Sequence, residues 1–205
     1  MKVIRYETSS ELIQELLLKD PLLKPLFIRN KTIEFQTTPS YFKALVEAIL
    51  AQQLSTLVAK VITKRFYLCV GDECDPYSIL SITPDAFKTM GLSKQKISYL
   101  KSLAEFYLAN RERFEKMEEM SDQAVIDFLT QVKGIGPWTA EMFLIFSLGR
   151  EDVFSLGDLG LRNAVKRLYN NPDLTASDLF AISQKWSPYR SVVSHFLWHA
   201  WDEIE

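Results

Sequence analysis

The stretch at residues 132–140, Val-Lys-Gly-Ile-Gly-Pro-Trp-Thr-Ala, constrains the fold of this chain more than any other. Two glycines flank one apolar residue, so the chain can reverse tightly while Ile135 enters the core. Residues 122–129 before it and 137–147 after it carry the apolar pattern of helices. Pro137 suits the first position of the second helix, where a missing N–H is harmless, and the neighbouring N–H groups point outward at the positive end of the helix. The pattern predicts two helices joined by a hairpin that binds an anion, most naturally a phosphate.

Composition limits the class of protein. The 205 residues are 47% hydrophobic, which is enough for one globular unit with a sizeable core. No apolar run reaches membrane-spanning length, and the first residues lack the apolar core of a signal peptide, so we expect a cytoplasmic protein with no membrane partner. The two cysteines, Cys69 and Cys74, are too few for a disulfide framework or a four-thiolate iron–sulfur cluster. We expect free thiols and no iron–sulfur cluster.

The charge balance is unusual for a protein that binds nucleic acid. The net charge is −2, from 24 basic and 26 acidic side chains, so a DNA-binding surface would have to be local. Basic side chains do cluster in three segments, namely Lys60, Lys64 and Arg65; Lys94, Lys96 and Lys101; and Arg162, Lys166 and Arg167. A single cluster of this kind is more often a solvated helix face than a binding site.

Helical patterns run through almost the whole chain. One long helix is predicted from about Tyr41 to Cys69, opened by Pro39, with a polar stretch at 52–56 where it could break. Residues 33–37 could form a brief extended segment, and strand signals are otherwise nearly absent. The sequence therefore predicts an all-α, compact, multi-helix fold.

Several segments together carry a family resemblance. Residues 122–147, followed by Phe-Ser-Leu-Gly-Asp at 154–158, resemble the helix-hairpin-helix and the Gly/Pro-rich loop of the helix-hairpin-helix DNA glycosylase superfamily. Residues 48–55, 90–96 and 186–191 are similar to segments of its alkylpurine branch, the 3-methyladenine DNA glycosylase II type. The resemblance implies a single compact glycosylase unit with two helical lobes and the hairpin element between them. One lobe would span about 50–140 and end in the element at 122–147, and the other would combine about 1–49 with 148–205.

Asp158 matches the catalytic aspartate of that superfamily. Hydrolysis of an N-glycosidic bond needs stabilisation of an oxocarbenium-like sugar and an oriented water, and a carboxylate can supply both. By sequence alone, Asp158 is more simply the N-cap of the next helix, and the two roles are compatible. Trp138 lies where the strand-cleaving relatives carry a lysine nucleophile, and an indole cannot form a Schiff base. The resemblance thus implies a monofunctional hydrolase that leaves an abasic site.

The same resemblance implies an aromatic pocket for the damaged base. Trp138 and Trp198 match pocket tryptophans of the alkylpurine branch, and a cationic alkylated purine stacks well on electron-rich rings. Ordinary core packing is the alternative role for such tryptophans. Met142 and His199 stand where the best-matched relative has tyrosines, so the range of accepted bases is open.

Contacts to double-stranded DNA are implied at two places. Gln53 lies where the superfamily places the residue that fills the gap left by the flipped nucleotide, although a glutamine in a helix is otherwise a plain surface residue. The hairpin would hold the phosphates through residues that we list here: Lys133, Gly134, Ile135, Gly136 and Thr139. Carbonyls of Thr130, Val132 and Ile135 resemble those that hold a monovalent cation, Na⁺ or K⁺, in the family. No other cofactor is required, and we expect a monomer.

Two alternatives remain open at this level. The scaffold could excise another lesion, namely uracil, hypoxanthine, ethenoadenine or oxidised guanine. Helix-hairpin-helix elements also occur in proteins that only bind DNA structures, although such a protein would need neither Asp158 nor the pair Trp138 and Trp198.

Overall fold

The structure, a computed structural model, describes residues 2–29, 32–38 and 40–202. The predicted helix start at Pro39 lies outside the described residues. In chain order the elements are β1 (Val3–Glu7), α1 (Glu11–Lys19), a 3-10 turn (Pro21–Leu23), α2 (Lys24–Arg29), β2 (Thr32–Gln36), α3 (Tyr41–Ala51), α4 (Thr56–Val70), α5 (Pro76–Ser81), α6 (Pro84–Thr89), α7 (Lys94–Ala109), α8 (Arg111–Glu115), a 3-10 turn (Met117–Glu119), α9 (Asp122–Leu129), α10 (Pro137–Phe146), α11 (Leu159–Leu168), α12 (Ala176–Gln184) and α13 (Arg190–Asp202). None of the helices in the described ranges is both long and apolar enough to cross a membrane.

Local sequence signals account for most helix starts, and the predominantly helical prediction is confirmed. Thr83 accepts a hydrogen bond from the backbone N–H of Ala86, and Pro84 then occupies the first turn of α6. Ser121 caps α9 in the same way by accepting from Ala124. Each cap satisfies an N–H that the helix itself cannot.

The predicted helical span from Tyr41 to Cys69 contains two helices, α3 and α4, because the chain breaks within the polar stretch, where a break was left open. Gln53 has φ of 57°, in the left-handed region that helices exclude. The side chain of Ser55 then accepts the N–H of Val58 and starts α4 as a new helix. The break therefore places Gln53 on a turn rather than inside a helix.

One short antiparallel sheet departs from the all-α expectation. Strands β1 and β2 pair with Ile4 opposite Phe35 and Tyr6 opposite Ile33. The extended segment near 33–37 was predicted, whereas β1 was not, because five residues at the chain start give little periodicity to read. Ile4, Tyr6 and Ile33 are buried, so the sheet contributes one face to a core.

The chain divides into two units. Residues 1–37 and 144–205 form the first, whose core gathers side chains from the sheet and from α1, α2 and α11 to α13, around the fully buried Trp186. Residues 38–143 form the second, where α3 packs on α4 and α7 and the rings of Phe106, Phe114 and Phe128 contact one another. The sequence analysis assigned residues 38–49 to the lobe of the chain termini, but α3 packs with the second unit. The boundary at 143/144 falls inside α10.

Candidate functional site

The predicted hairpin lies between α9 and α10. Ile135 is only 4% exposed, which confirms that it enters the core, and its N–H donates to the carbonyl of Val132 at 3.0 Å. Gly134 has φ of 92°, and a Cβ there would lie 2.2 Å from the ring of Tyr99. Around Gly136 a Cβ would meet nothing within 4 Å. The first glycine is thus required by the protein interior, while the second leaves the hairpin open on its outer side.

A cleft of about 630 Å³ borders the hairpin within the unit of residues 38–143. Gln53, Gly134, Trp138, Thr139 and Met142, five of the predicted site residues, line it. Trp138 and Met142 are four residues apart on α10 and so share one face of that helix. The indole of Trp138 is 45% exposed, which is unusual for a tryptophan that serves only core packing. Thr139 lines the cleft but is only 7% exposed.

Two polar side chains that were not among the predicted site residues, Gln52 and Lys96, line the same cleft. Gln52 donates through Nε2 to the carbonyl of Gly134 at 2.9 Å, and Lys96 donates through Nζ to the carbonyl of Leu50. Burial lowers the pKa of Lys96 below its ordinary value. Both residues stood in segments that carried the family resemblance, but only folding shows which backbone atoms they reach.

Lys133 projects from the hairpin and is exposed. Its Nζ donates to the hydroxyl of Ser98 on α7 at 3.2 Å. This single contact leaves the ammonium at the surface, where its charge can attract phosphate.

Asp158 lies in the other unit, at the start of α11. Its Oδ1 accepts the backbone N–H of Leu161 at 2.8 Å, so the N-cap prediction is confirmed. The indole Nε1 of Trp198 lies 3.4 Å from the same oxygen. A Cβ at Gly160 would come within 3.1 Å of Oδ1 and 3.9 Å of the Trp198 indole, so the absence of a side chain there gives both groups room.

A polar network ties the loop before Asp158 to the start of α13. The guanidinium of Arg190 donates two hydrogen bonds to the carboxylate of Asp152, at 2.7 and 3.1 Å, and the hydroxyl of Ser187 donates another at 2.9 Å. Burial alone would raise the pKa of Asp152, but these hydrogen bonds hold it below the usual value. The buried Ser191 exchanges hydrogen bonds with the backbone of Val153. Because α13 carries Trp198, this network fixes the loop of Asp158 and the helix of Trp198 to each other.

Trp198 and His199 have different surroundings on α13. The half-buried indole of Trp198 packs on Phe146 at 5.4 Å between ring centroids, whereas His199 is exposed. The sequence analysis missed His195, which is 4% exposed and stacks on Phe35 at 4.3 Å. Its ring also meets the Trp198 indole edge-on at 5.7 Å. The only signal in the sequence was its position one helical turn before Trp198.

The structure therefore brings the predicted residues together in two groups. Gln53, Trp138 and Met142 share the cleft in one unit, and Asp158 and Trp198 form a hydrogen-bonded pair in the other. Within the described ranges, no group of three or more His, Cys, Asp and Glu side chains could hold a metal ion. The first group offers an open aromatic surface beside the hairpin, and the second offers a carboxylate held at a helix start.

Comparison with known families decides the identity of the scaffold. The profile of the HhH-GPD superfamily base excision DNA repair proteins matches residues 46–188. The chain belongs to this superfamily. The match runs from within α3 to the loop that precedes α13, and so it contains both the hairpin and Asp158.

Individual relatives of this superfamily member share its length and shape to different degrees. It is 35% identical over 161 residues to DNA-3-methyladenine glycosylase 1 of Schizosaccharomyces pombe, which covers 77% of this chain and 71% of the relative. It spans between 59% and 77% of the length of three curated relatives that it matches. A crystal structure of DNA-3-methyladenine glycosidase from Bacillus halodurans superposes with a TM-score of 0.86 at 35% identity, covering 96% of this chain and 92% of that one. The S. pombe 3-methyladenine DNA glycosylase Mag1, in complex with abasic DNA, superposes with a TM-score of 0.78 at 30% identity, covering 92% of this chain and 95% of that one.

Proposed function

We propose that this protein is a base-excision-repair DNA glycosylase that hydrolyses the N-glycosidic bond of alkylated purines flipped out of duplex DNA. The observation that carries the proposal is Asp158, held at the N-terminus of α11 and reached by the Trp198 indole N–H. Relatives that are named as 3-methyladenine glycosylases match most of the chain, which supports alkylated purines as the substrate class.

The chemistry asked of Asp158 is electrostatic. As the glycosidic bond lengthens, positive charge develops on the sugar, and a carboxylate held in place stabilises it without reorganising. The same carboxylate can orient the water that attacks the anomeric carbon. Leu161 and Trp198 both donate to Oδ1 and so restrict the carboxyl group to one orientation.

We assign the DNA backbone to the hairpin and the flipped base to the cleft. The hairpin N–H groups and Lys133 bind the phosphates of the strand, and Trp138 with Met142 offers a surface on which a flipped base can stack. Gln53, presented on its turn, fills the gap in the duplex, because an amide can hydrogen-bond the orphaned partner base.

The hairpin carbonyls fit a monovalent cation. Thr130 is the C-cap of α9, so its carbonyl lies at the negative end of that helix. The Val132 carbonyl accepts one hydrogen bond, from Ile135, and a carbonyl oxygen has two lone pairs. When bound, Na⁺ or K⁺ would add positive charge beside the phosphate. Replacing it by tetramethylammonium at constant ionic strength is expected to weaken DNA binding, and unchanged affinity would contradict this assignment.

We further propose that the enzyme is monofunctional. Trp138 offers no amine, so no Schiff base with the sugar forms at that position. The cleft does contain one amine, Lys96, but its Nζ donates to the Leu50 carbonyl. Borohydride treatment during turnover tests both points, since a covalent protein–DNA product would show lyase chemistry, and its loss in Lys96→Met would identify the amine.

The decisive experiment measures base release from oligonucleotide duplexes that carry single lesions. We expect free 3-methyladenine and an alkali-labile site from the wild type, and no release with Asp158→Asn, while binding to abasic DNA is retained. Release of only another damaged base would support the same scaffold with a different specificity. No release from any lesion would instead indicate a non-catalytic DNA-structure binder.

A further inference from the structure

The turn between α3 and α4 holds Gln53 in a conformation that costs free energy. Gln53 has φ of 57°, and a residue other than glycine is disfavoured in this left-handed region, so neighbouring contacts must maintain the turn. Within the turn, the N–H of Leu54 donates to the carbonyl of Ala51 at 3.2 Å. That local bond does not tie the turn to any other part of the unit.

Two side chains connect the turn to the rest of the unit. Lys96, from the start of α7, donates to the Leu50 carbonyl in the last turn of α3, where a cation also complements the helix dipole. Gln52 lies immediately before Gln53 and donates through Nε2 to the carbonyl of Gly134 at 2.9 Å. Gln52 thus connects this turn directly to the phosphate-binding hairpin, across 82 positions of sequence.

The acceptor of the Gln52 bond is itself held firmly. Gly134 lies against the ring of Tyr99, closely enough that no Cβ fits between them. On either side of it, Val132 and Ile135 are buried, and the N–H of Ile135 donates to the carbonyl of Val132 at 3.0 Å. The Gly134 carbonyl therefore has a fixed position, and its hydrogen bond fixes the position of the Gln52 side chain as well.

We propose that Gln52 is a positioning residue that holds the Gln53 turn in a fixed position relative to the hairpin. When the hairpin binds phosphate, the Gln52–Gly134 hydrogen bond sets the depth at which Gln53 enters the duplex. This inference rests on the proposed function, because it assigns a task to a residue of the same site. It concerns extrusion of the base and leaves the hydrolysis at Asp158 unchanged.

Substitutions of similar size test the bond. Gln52→Met removes the donor, and Gln52→Glu sets a carboxylate against the Gly134 carbonyl. The matched control is Asn110→Asp, because half-buried Asn110 also donates to a backbone carbonyl, that of Phe106 at 2.9 Å, but belongs neither to the cleft nor to the hairpin. Circular dichroism and thermal melting verify that each variant is folded.

The readout separates extrusion from hydrolysis. Single-turnover release is compared for one lesion in a fully paired duplex and for the same lesion opposite an abasic site, where no orphaned base needs a partner. We expect both Gln52 variants to lose about 10-fold or more on the paired duplex and less than about 2-fold opposite the abasic site. Gln53→Ala should show the same selective loss, and Gln52→Met combined with Gln53→Ala should lose no more than either alone.

Other outcomes overturn the inference. Equal losses on both substrates, unchanged release from the paired duplex, or additive losses in the double variant would each contradict it. If the wild type releases no base at all, the proposed function fails by itself. Extrusion is then measured with DNA that carries 2-aminopurine beside an abasic site. The fluorescence of 2-aminopurine should rise when the wild type binds and should not rise when the Gln52 variants bind.

Discussion

The indole N–H of Trp198 reaches Oδ1 of Asp158 across 3.4 Å, and the same oxygen accepts the N–H of Leu161 at 2.8 Å. The catalytic candidate is therefore also a helix cap, and a pocket candidate is its hydrogen-bond donor. The cap and the catalytic candidate, which were alternative roles of Asp158 in the sequence, thus involve the same oxygen atom.

Trp198→Phe should slow base release by roughly 10-fold, about 1.4 kcal/mol of transition-state stabilisation, because the donor that orients Asp158 is lost. Single-turnover kinetics on lesion duplexes measures this. Trp186→Phe is the matched contrast, since it also removes an indole donor to a carboxylate, that of Asp20 at 2.8 Å. That change should lower the free energy of unfolding by about 1–3 kcal/mol and leave the rate of the folded enzyme unchanged. The reverse pattern would contradict the assigned roles.

Gly134→Ala should destabilise the protein by on the order of 3 kcal/mol, because it combines a positive φ with a clash against Tyr99. Urea denaturation provides the measurement. Gly91→Ala is the control, because Gly91, just after α6, has a similar φ of 81° but its added Cβ would meet only the tip of the Arg65 side chain at 3.8 Å, so about 1 kcal/mol should be lost. Tyr99→Ala should recover part of the loss in Gly134→Ala. Equal costs at the two glycines would refute the clash.

His195 should make stability depend on pH in the acid range. Burial, with a smaller contribution from the charge of His199, lowers the pKa of His195 from 6.5 to about 4. Between these two values the unfolded chain binds a proton that the folded protein does not. The free energy of unfolding is thus unaffected by this group above pH 6.5 and falls by roughly 3 kcal/mol as pH decreases through 4.

The measurement for His195 is urea denaturation between pH 4 and pH 8. His195→Phe keeps the ring contacts with Phe35 and Trp198 and removes the titrating group. It also removes Nε2, which is buried without a hydrogen-bond partner in the described part of the chain. The variant should lose this part of the pH dependence, and an unchanged slope would assign the effect to other groups.

Lys133→Gln should weaken binding to undamaged duplex at low salt and make the plot of log affinity against log salt shallower by about 1. The reason is that one ammonium at the hairpin no longer displaces a counterion from phosphate. Lys88→Gln, on α6 in an exposed pair with Asp85, is the control and should leave the slope unchanged. Fluorescence anisotropy over a salt series gives both slopes, and identical slopes would remove Lys133 from the interface.

Local chemistry in the sequence determined the helices and the hairpin. Ser, Thr and Asp caps, N1 prolines and apolar periodicity act within a few residues. The starts of α5, α6 and α9 therefore follow from the local sequence alone. Ile135 between two glycines likewise has one favourable arrangement, with its side chain inside. Asp158 as a cap belongs to the same class, because the N–H that it accepts, that of Leu161, lies three residues away.

Only the tertiary structure decided which groups meet across the sequence. The Gln52–Gly134 bond, the Lys96–Leu50 bond and the burial of His195 by Phe35 join residues that are tens to more than a hundred positions apart. Such contacts depend on how several helices pack at once, and no local propensity records them. The break at Gln53 is intermediate, since the polar stretch marked its place but the contacts of Lys96 and Gln52 maintain the strained turn. The local sequence specified the turn of the hairpin and the cap formed by Asp158. The packing of distant helices supplied the side chains that hold both in position.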